Sequence, residues 1–252
     1  MCQHATMSSG FVSRSHHAIS PFELRRAASV DEAVDLVGQG WQPHAGGIDL
    51  VAALQRGEEV QQVVDISRLE ALRRIRTDGS HLIIGAGATH HDVETSELVQ
   101  RLRPDLQAAW RTVGNVRIRR AGTVGGNLLA GESGYDAAPI LAAVGARLMW
   151  SDGSTTTSVD PGPASALLLD IEVPLHGSVR FDRSLKPVVS VAVGPGGVGV
   201  GCAGSRPMLF TVDEAVDPRQ TVDRCSDDAF ASARYRSRMI AVLAARLSEA
   251  AA

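Results

Sequence analysis

The chain has 252 residues, with 25 Lys+Arg against 28 Asp+Glu and a formal net charge of -3, a balance that excludes a sequence-independent nucleic-acid binder, which needs a basic excess to displace counterions. No run of about 18 apolar residues occurs, so no membrane span is expected. At 44% hydrophobic and 21% charged the composition is globular, and five Phe, three Trp and two Tyr are too few for an aromatic-lined groove.

Residues 1–19 carry no acidic residue and no apolar core of a signal peptide. They read as a disordered tail or a start mis-assigned upstream of Met7, with His16 and His17 solvated. Order is expected from Pro21-Phe22. Ser29 followed by Glu32 reads as a capping box, and Val30, Ala33, Val34 and Val37 form the stripe of a short helix closed by Gly38 and Gly40. A strand over 41–45 runs into Gly46-Gly47, a helix starts near Asp49, and Val60 to Ile66 is a strand, together a βαβ-like unit. Leu82 to Ala86 is a short buried strand. Thr89 with Asp92 caps the next helix, and His90 and His91 at its start read as surface or capping residues. Pro104 opens a helix whose apolar stripe is Leu106, Ala109, Trp110 and Val113. Gly122 to Gly131 reads as a loop. A helix over 137–144, a strand over 147–150, a turn at Asp152-Gly153 and a strand over 167–173 follow. Residues 187–203 read as a hairpin. The segment 227–248 reads as a long helix with Tyr235, Met239, Val242, Leu243 and Leu247 toward the core.

Three cysteines, Cys2, Cys202 and Cys225, form no C-x-x-C pair. The count argues against a disulfide framework or a zinc site and suggests a reducing cytoplasm. Any iron–sulfur cluster must sit on another chain, because four thiolates are not present here.

Two glycine doublets carry the functional signal. His44-Ala45-Gly46-Gly47-Ile48-Asp49-Leu50 is a strand–turn–helix junction, where glycines let backbone N–H groups converge and the helix dipole favours an anion. Alone, such a turn more often holds nothing. Thr123-Val124-Gly125-Gly126-Asn127 is a second seat with side-chain donors at its rim. Together the two can hold a diphosphate from both sides through backbone amides, without Lys or Arg. Asp136, just before a helix, is either an N-cap or an acceptor for ribose or ribityl hydroxyls. Gly194-Pro195-Gly196-Gly197-Val198-Gly199 matches G-x-G-x-x-G, but no helix opens within it, so it reads as a hairpin rather than a nicotinamide site.

The stretches A-G-G-I-D-L-V at 45–51, V-D-I-S at 64–67, I-G-A-G-A-T-H at 84–90, R-I-R-R-A-G-T-V-G-G-N-L at 117–128 and D-D-A-F-A-S-A-R-Y-R-S-R-M at 227–239 resemble the FAD-binding subunit of molybdenum hydroxylases. The likeness is to the medium subunit of carbon monoxide dehydrogenases and the flavin domain of xanthine dehydrogenases, from about Pro21 to Leu247. It implies an α+β fold in which two α/β subdomains clasp an extended FAD, as in the vanillyl-alcohol-oxidase (PCMH-like) class, beside a small C-terminal sheet-and-helix subdomain. The expected divisions are 20–75, 76–175 and a shortened 176–252. The resemblance implies that Ala45, Gly46, Gly47, Ile48, Asp49 and Leu50 form the first pyrophosphate loop and that Thr123, Gly125, Gly126 and Asn127 form the second. Asp136 would hold ribityl or ribose hydroxyls, Leu168 would wall the flavin ring, and Lys186 would approach its pyrimidine side. No metal ligand and no general base is expected in this chain. Where the family usually has Thr this chain has Ile48, and the 153–166 and 175–210 stretches look trimmed.

The resemblance implies a cytoplasmic FAD-binding oxidoreductase subunit in an oligomer. A molybdopterin-binding large subunit and a 2Fe-2S small subunit would supply its electrons, and an external acceptor would take them. A stand-alone FAD-dependent oxidoreductase on the same fold is a second reading, motivated by the trimmed C-terminal half. A scaffold that no longer binds FAD is a third, supported only by Ile48.

Overall fold

A computed structural model of the protein describes residues 20–160, 162–184 and 188–249. The expected tail at 1–19 and the expected Lys186 contact lie outside the described residues. The first unit comprises β1 (Glu23–Arg26), α1 (Val30–Gly38), β2 (Gln42–His44), α2 (Ile48–Gln55) and β3 (Gln62–Asp65). Its sheet has the order β1-β3-β2 and is parallel throughout. All four residues of β1 are exposed, which is why no alternation announced it. The Ser29 hydroxyl accepts the Glu32 N–H at 3.1 Å, while the Glu32 carboxylate takes the Ala28 N–H at 2.7 Å rather than that of Ser29, so the capping box is only half closed. Ala33, Leu36, Val37 and Trp41 bury this unit's core against Val64 and Ile66.

The central layer begins with β4 (Ile75–Thr77) and β5 (His81–Gly85). A run of short helices follows: α3 (His90–Thr95), α4 (Glu97–Leu102), α5 (Pro104–Trp110), α6 (Val116–Ala121), α7 (Val124–Ala130) and α8 (Ala137–Ala143). Strands β6 (Arg147–Trp150), β7 (Thr155–Thr157) and β8 (Leu168–Pro174) complete an antiparallel sheet of order β4-β5-β8-β6-β7. The largest core lies between this sheet and the helices, around Leu82, Ile84, Trp110, Ile140, Leu148 and Ile171. The Thr89–Asp92 capping box closes in both directions, at 2.9 and 3.0 Å. The stretch expected as a loop over 122–131 instead contains α7. Thr123 caps it and buried Val124 and Leu128 anchor it, so packing overrides the low helix propensity of its glycines.

The third unit is an antiparallel sheet, β9 (Arg180–Arg183), β10 (Ser190–Gly194), β11 (Gly197–Gly201) and β12 (Met208–Phe210), in the order β12-β11-β10-β9. It is followed by α9 (Val212–Val216), α10 (Pro218–Thr221) and α11 (Ala233–Glu249). The 194–199 glycine run is a hairpin, with Gly194 opposite Gly197. The V-G-V-G alternation has a packing cause. A Cβ on Gly199 would stand 2.0 Å from the Pro139 carbonyl oxygen, so α8 lies directly on the backbone of that face, while Val198 and Val200 join the core beneath α11. Helix α11 starts six residues later than expected, and the expected core face is met in part, by Leu243 and by Met239 and Leu247 packed against the same core. Arg236, Ile240, Leu243 and Ala244 are buried, whereas Tyr235 and Val242 are 49% and 56% exposed.

The second and third units are tied by an ion pair. Arg103 is buried, pairs with both carboxylate oxygens of Asp105 at 3.0 and 2.7 Å, and also donates to the Pro174 carbonyl at the end of β8. Asp105 accepts the Val179 N–H at 2.7 Å as well. Burial alone would raise the Asp105 pKa, but the bonds from Arg103 and Val179 outweigh it and hold the carboxyl below its usual range. A depressed carboxyl stabilises the fold above its unfolded pKa and loses that contribution as pH falls through the folded value. Asp105→Asn, which leaves a buried guanidinium unpaired, is therefore expected to cost about 2 kcal/mol at neutral pH. In urea denaturation the deficit relative to wild type should close as pH is lowered through the carboxylate range.

Candidate functional site

The first wall of the site is the β2–α2 junction. Gly47 is the N-cap of α2 in the left-handed region, φ +76, where glycine is the least strained residue, and it offers no side-chain cap. As a result the N–H groups of Gly46, Gly47, Ile48 and Asp49 donate to no protein acceptor among the described residues. Four free amides at the positive end of a helix dipole form an anion seat. Replacing a Thr by Ile48 leaves this set intact, because the donors are backbone groups.

The second wall approaches very closely. A Cβ on Gly46 would lie 2.0 Å from the Ala121 carbonyl oxygen and 3.1 Å from the Gly122 Cα. On the far side, the amides of the second doublet are already taken. Val124 donates to the Ala88 carbonyl at 2.9 Å, Gly125 to the Ala86 carbonyl at 2.8 Å and Gly126 to the Thr123 hydroxyl at 3.1 Å. Asn127 N–H donates to the Thr123 carbonyl at 3.0 Å. The expectation of matched backbone donors from both doublets is therefore corrected. The first doublet supplies free amides, and the second supplies a smooth floor without side chains. That floor too is tight, since a Cβ on Gly125 would lie 2.8 Å from the Ala86 carbonyl oxygen.

Both doublets line one cleft. Ala45, Gly46, Gly47, Ile48, Asp49 and Leu50 form one side of it, and Thr123, Gly125, Gly126 and Asn127 the other, with Leu168 and Leu167 from the start of β8. Asp136 does not line it. That residue is buried at the start of α8 and accepts from Arg183 of β9 at 3.2 Å. Burial pushes its pKa up against the pull of Arg183.

Three titratable lining residues were given no role in the site by the sequence reading. Tyr135 donates its hydroxyl to Asp49 at 2.6 Å and so links the α7–α8 connection to α2. Burial and the Asp49 carboxylate both raise the Tyr135 pKa, which keeps the phenol protonated. His90, expected at the surface, is fully buried and tilted against Trp110 with ring centres 5.7 Å apart. Burial first and Arg119 second lower its pKa to about 4, so it is neutral near pH 7. His91 keeps a half-exposed position beside Glu94. His44 closes the end of β2 next to the amide seat. A histidine immediately before the Ala45-Gly46-Gly47 turn was the available signal for the last of these.

Unpaired polar atoms mark the same place. Eight buried side-chain nitrogens and oxygens lack a hydrogen-bond partner among the described residues, and four of them belong to cleft residues: His44 Nδ1, both ring nitrogens of His90, and Asn127 Oδ1. Buried orphan groups are costly, and half of those found belong to residues of this cleft. No Lys or Arg lines the cleft. No group of three or more metal-ligating side chains stands together among the described residues. The residues present fit an elongated, anionic molecule whose charge is met by backbone amides.

Residues 20–161 match the family model of the FAD binding domain in molybdopterin dehydrogenase. The chain belongs to this family, and its cofactor is FAD. It is 30% identical to the glyceraldehyde dehydrogenase medium chain of Sulfolobus acidocaldarius over 168 residues, 61% of this chain and 60% of that one. It is 34% identical to the carbon monoxide dehydrogenase medium chain of Hydrogenophaga pseudoflava over 132 residues, 51% of this chain and 46% of that one. The match to these two relatives thus spans about half to three-fifths of their length. A 25% identical match to the carbon monoxide dehydrogenase medium chain of Afipia carboxidovorans spans 91% of this chain and 96% of that one. The solved structure of carbon monoxide dehydrogenase from Hydrogenophaga pseudoflava superposes with a TM-score of 0.80 at 23% identity, over 93% of this chain and 98% of that one. Quinoline 2-oxidoreductase from Pseudomonas putida 86 does so with a TM-score of 0.75 at 20% identity, over 91% and 99%. These likenesses show the α+β fold.

The Gly46 contact is the sensitive point, because the obstructing atom is backbone and has nowhere to move. Gly46→Ala is expected to weaken FAD binding at least about tenfold in a fluorescence titration. Gly134→Ala, where a Cβ meets nothing within 4 Å, should leave the affinity unchanged.

Proposed function

We propose that the chain is the FAD-bearing electron-transfer subunit of a molybdenum hydroxylase-type dehydrogenase. The observation that carries this is the set of four unpaired amides at the start of α2, facing the bare backbone of Gly125-Gly126 across one cleft. In this reading the amides of Gly46 to Asp49 bind the diphosphate, and Thr123 and Asn127 border it. Leu167 and Leu168 offer an apolar wall to the flavin ring. Tyr135 fixes Asp49 so that its carboxylate does not swing into the amide seat. Asp136 pairs with Arg183 where β9 meets α8, outside the cleft, and Lys186 would contribute on the pyrimidine side. Bound FAD supplies two-electron redox chemistry; the chain positions it and excludes water. In such a complex, 2Fe-2S clusters on a small partner subunit and a molybdopterin-binding large subunit would supply the electrons, and an external acceptor in the cytoplasm would take them. This reading keeps two units that clasp the cofactor and a third beside them, and the presence of three separate sheets supports it. Partnership is favoured by the medium-chain relatives and by the scarcity of thiols, since Cys202 and Cys225 are the two free cysteines among the described residues.

The test begins with the purified chain. It is expected to bind FAD, to bleach with a chemical reductant, and to show no turnover of aldehydes, purines or carbon monoxide with a dye acceptor. Turnover should arise only when the chain is co-expressed with molybdopterin and iron–sulfur subunits. Oxidation of a small organic substrate by the chain alone would favour the stand-alone oxidoreductase instead.

A further inference from the structure

The cleft has an unbalanced charge. A diphosphate linker brings two negative charges, and the lining residues include no Lys or Arg, while Asp49 adds a carboxylate. Free amides supply partial positive charge only. One imidazole stands at the seat itself. The His44 ring lies against Gly47, so that a Cβ there would be 2.9 Å from His44 Cε1, and His44 Nδ1 is buried with no partner. Resting on the FAD reading above, we propose that His44 is the cation of the site, taking up a proton as the diphosphate binds and donating a charge-assisted hydrogen bond to it.

The surrounding groups isolate this role. On β3, Asp65 sits opposite His44 in register. Burial pushes that carboxyl up, but the Ser67 and Arg26 bonds overcome it and hold it at about 2, so it stays charged and does not titrate near neutrality. On α2, Asp49 is engaged by the protonated Tyr135. The acidic residues of α1, Asp31, Glu32 and Asp35, are on its exposed side. Across the cleft, His90 is too buried to charge in the same range. The arginines of α6 do not line the cleft, and Arg119 is held by Glu94 at 2.8 Å. Histidine is the side chain that changes charge near neutrality, and a phosphate beside it favours the protonated form.

The test measures the affinity of the full chain for FAD, ADP and riboflavin from about pH 5.5 to 8.5, with wild type and His44→Gln. Wild type should bind FAD and ADP about tenfold more tightly at the acid end, the size of one charge-assisted hydrogen bond. Riboflavin, which lacks phosphate, should show no such slope. His44→Gln should bind FAD with a flat profile that meets wild type at high pH. Calorimetry in buffers of different ionisation enthalpy should register proton uptake on FAD binding by wild type and none by His44→Gln. Absence of FAD binding by wild type at every pH would sink the cofactor reading itself. A His44→Gln profile parallel to wild type, a uniform loss at all pH values, or no proton uptake would overturn the role of His44 while leaving that reading intact.

Discussion

Everything at the cleft depends on how closely two stretches of bare backbone approach. Gly46 meets the Ala121 carbonyl at a distance that no Cβ tolerates, and the same contact sets the β2–α2 turn against the α6–α7 turn. Because the two turns touch there, the amides that follow Gly46 are directed into the space bounded by Gly125 and Gly126. Neither side chains nor cations could replace this arrangement, since either would fill the space the ligand requires. A small contact between turns thus positions the site, while three separate cores supply the rigidity behind it.

The division of labour between the two doublets is asymmetric, and hydrogen-bond accounting explains it. A helix start leaves several N–H groups without intrahelical partners. At α7 the protein satisfies its own, through Ala86, Ala88 and the Thr123 cap. At α2 it does not, because the N-cap is glycine. Leaving polar groups unpaired destabilises the protein alone and favours the complex with an anion that pairs them. The unpaired nitrogens of His44 and His90 and the Asn127 oxygen extend the same logic around the cleft. The cleft is therefore largely a set of deferred hydrogen bonds, with no Lys or Arg among its lining residues.

The glycines outside the cleft have a different physical role. In β11, Gly199 lets α8 rest on the sheet at backbone distance, which brings Asp136 at the start of α8 against Arg183 of β9. The resemblance to a dinucleotide fingerprint in 194–199 is a by-product of that packing. The same motif letters serve helix–sheet contact here and would serve phosphate contact only if a helix opened among them.

Much was legible in the chain itself. The parallel βαβ start, the Thr89 cap, the Pro104 helix, the 194–197 hairpin and both glycine doublets follow from periodicity, caps and turn chemistry, which act over a few residues. Features whose state depends on distant packing were misread in whole or in part. Helix α7 exists because Val124 and Leu128 are buried, α11 turns Ile240 inward against a sheet far away in sequence, and His90 is enclosed by Trp110 and Gly122. Which turns could bare their backbone was set locally, at the positions of the glycines, since a side chain there would cover it. The tertiary structure alone decided which of those bared amides stay free, because Ala86 and Ala88 claim one set and nothing in the described protein claims the other.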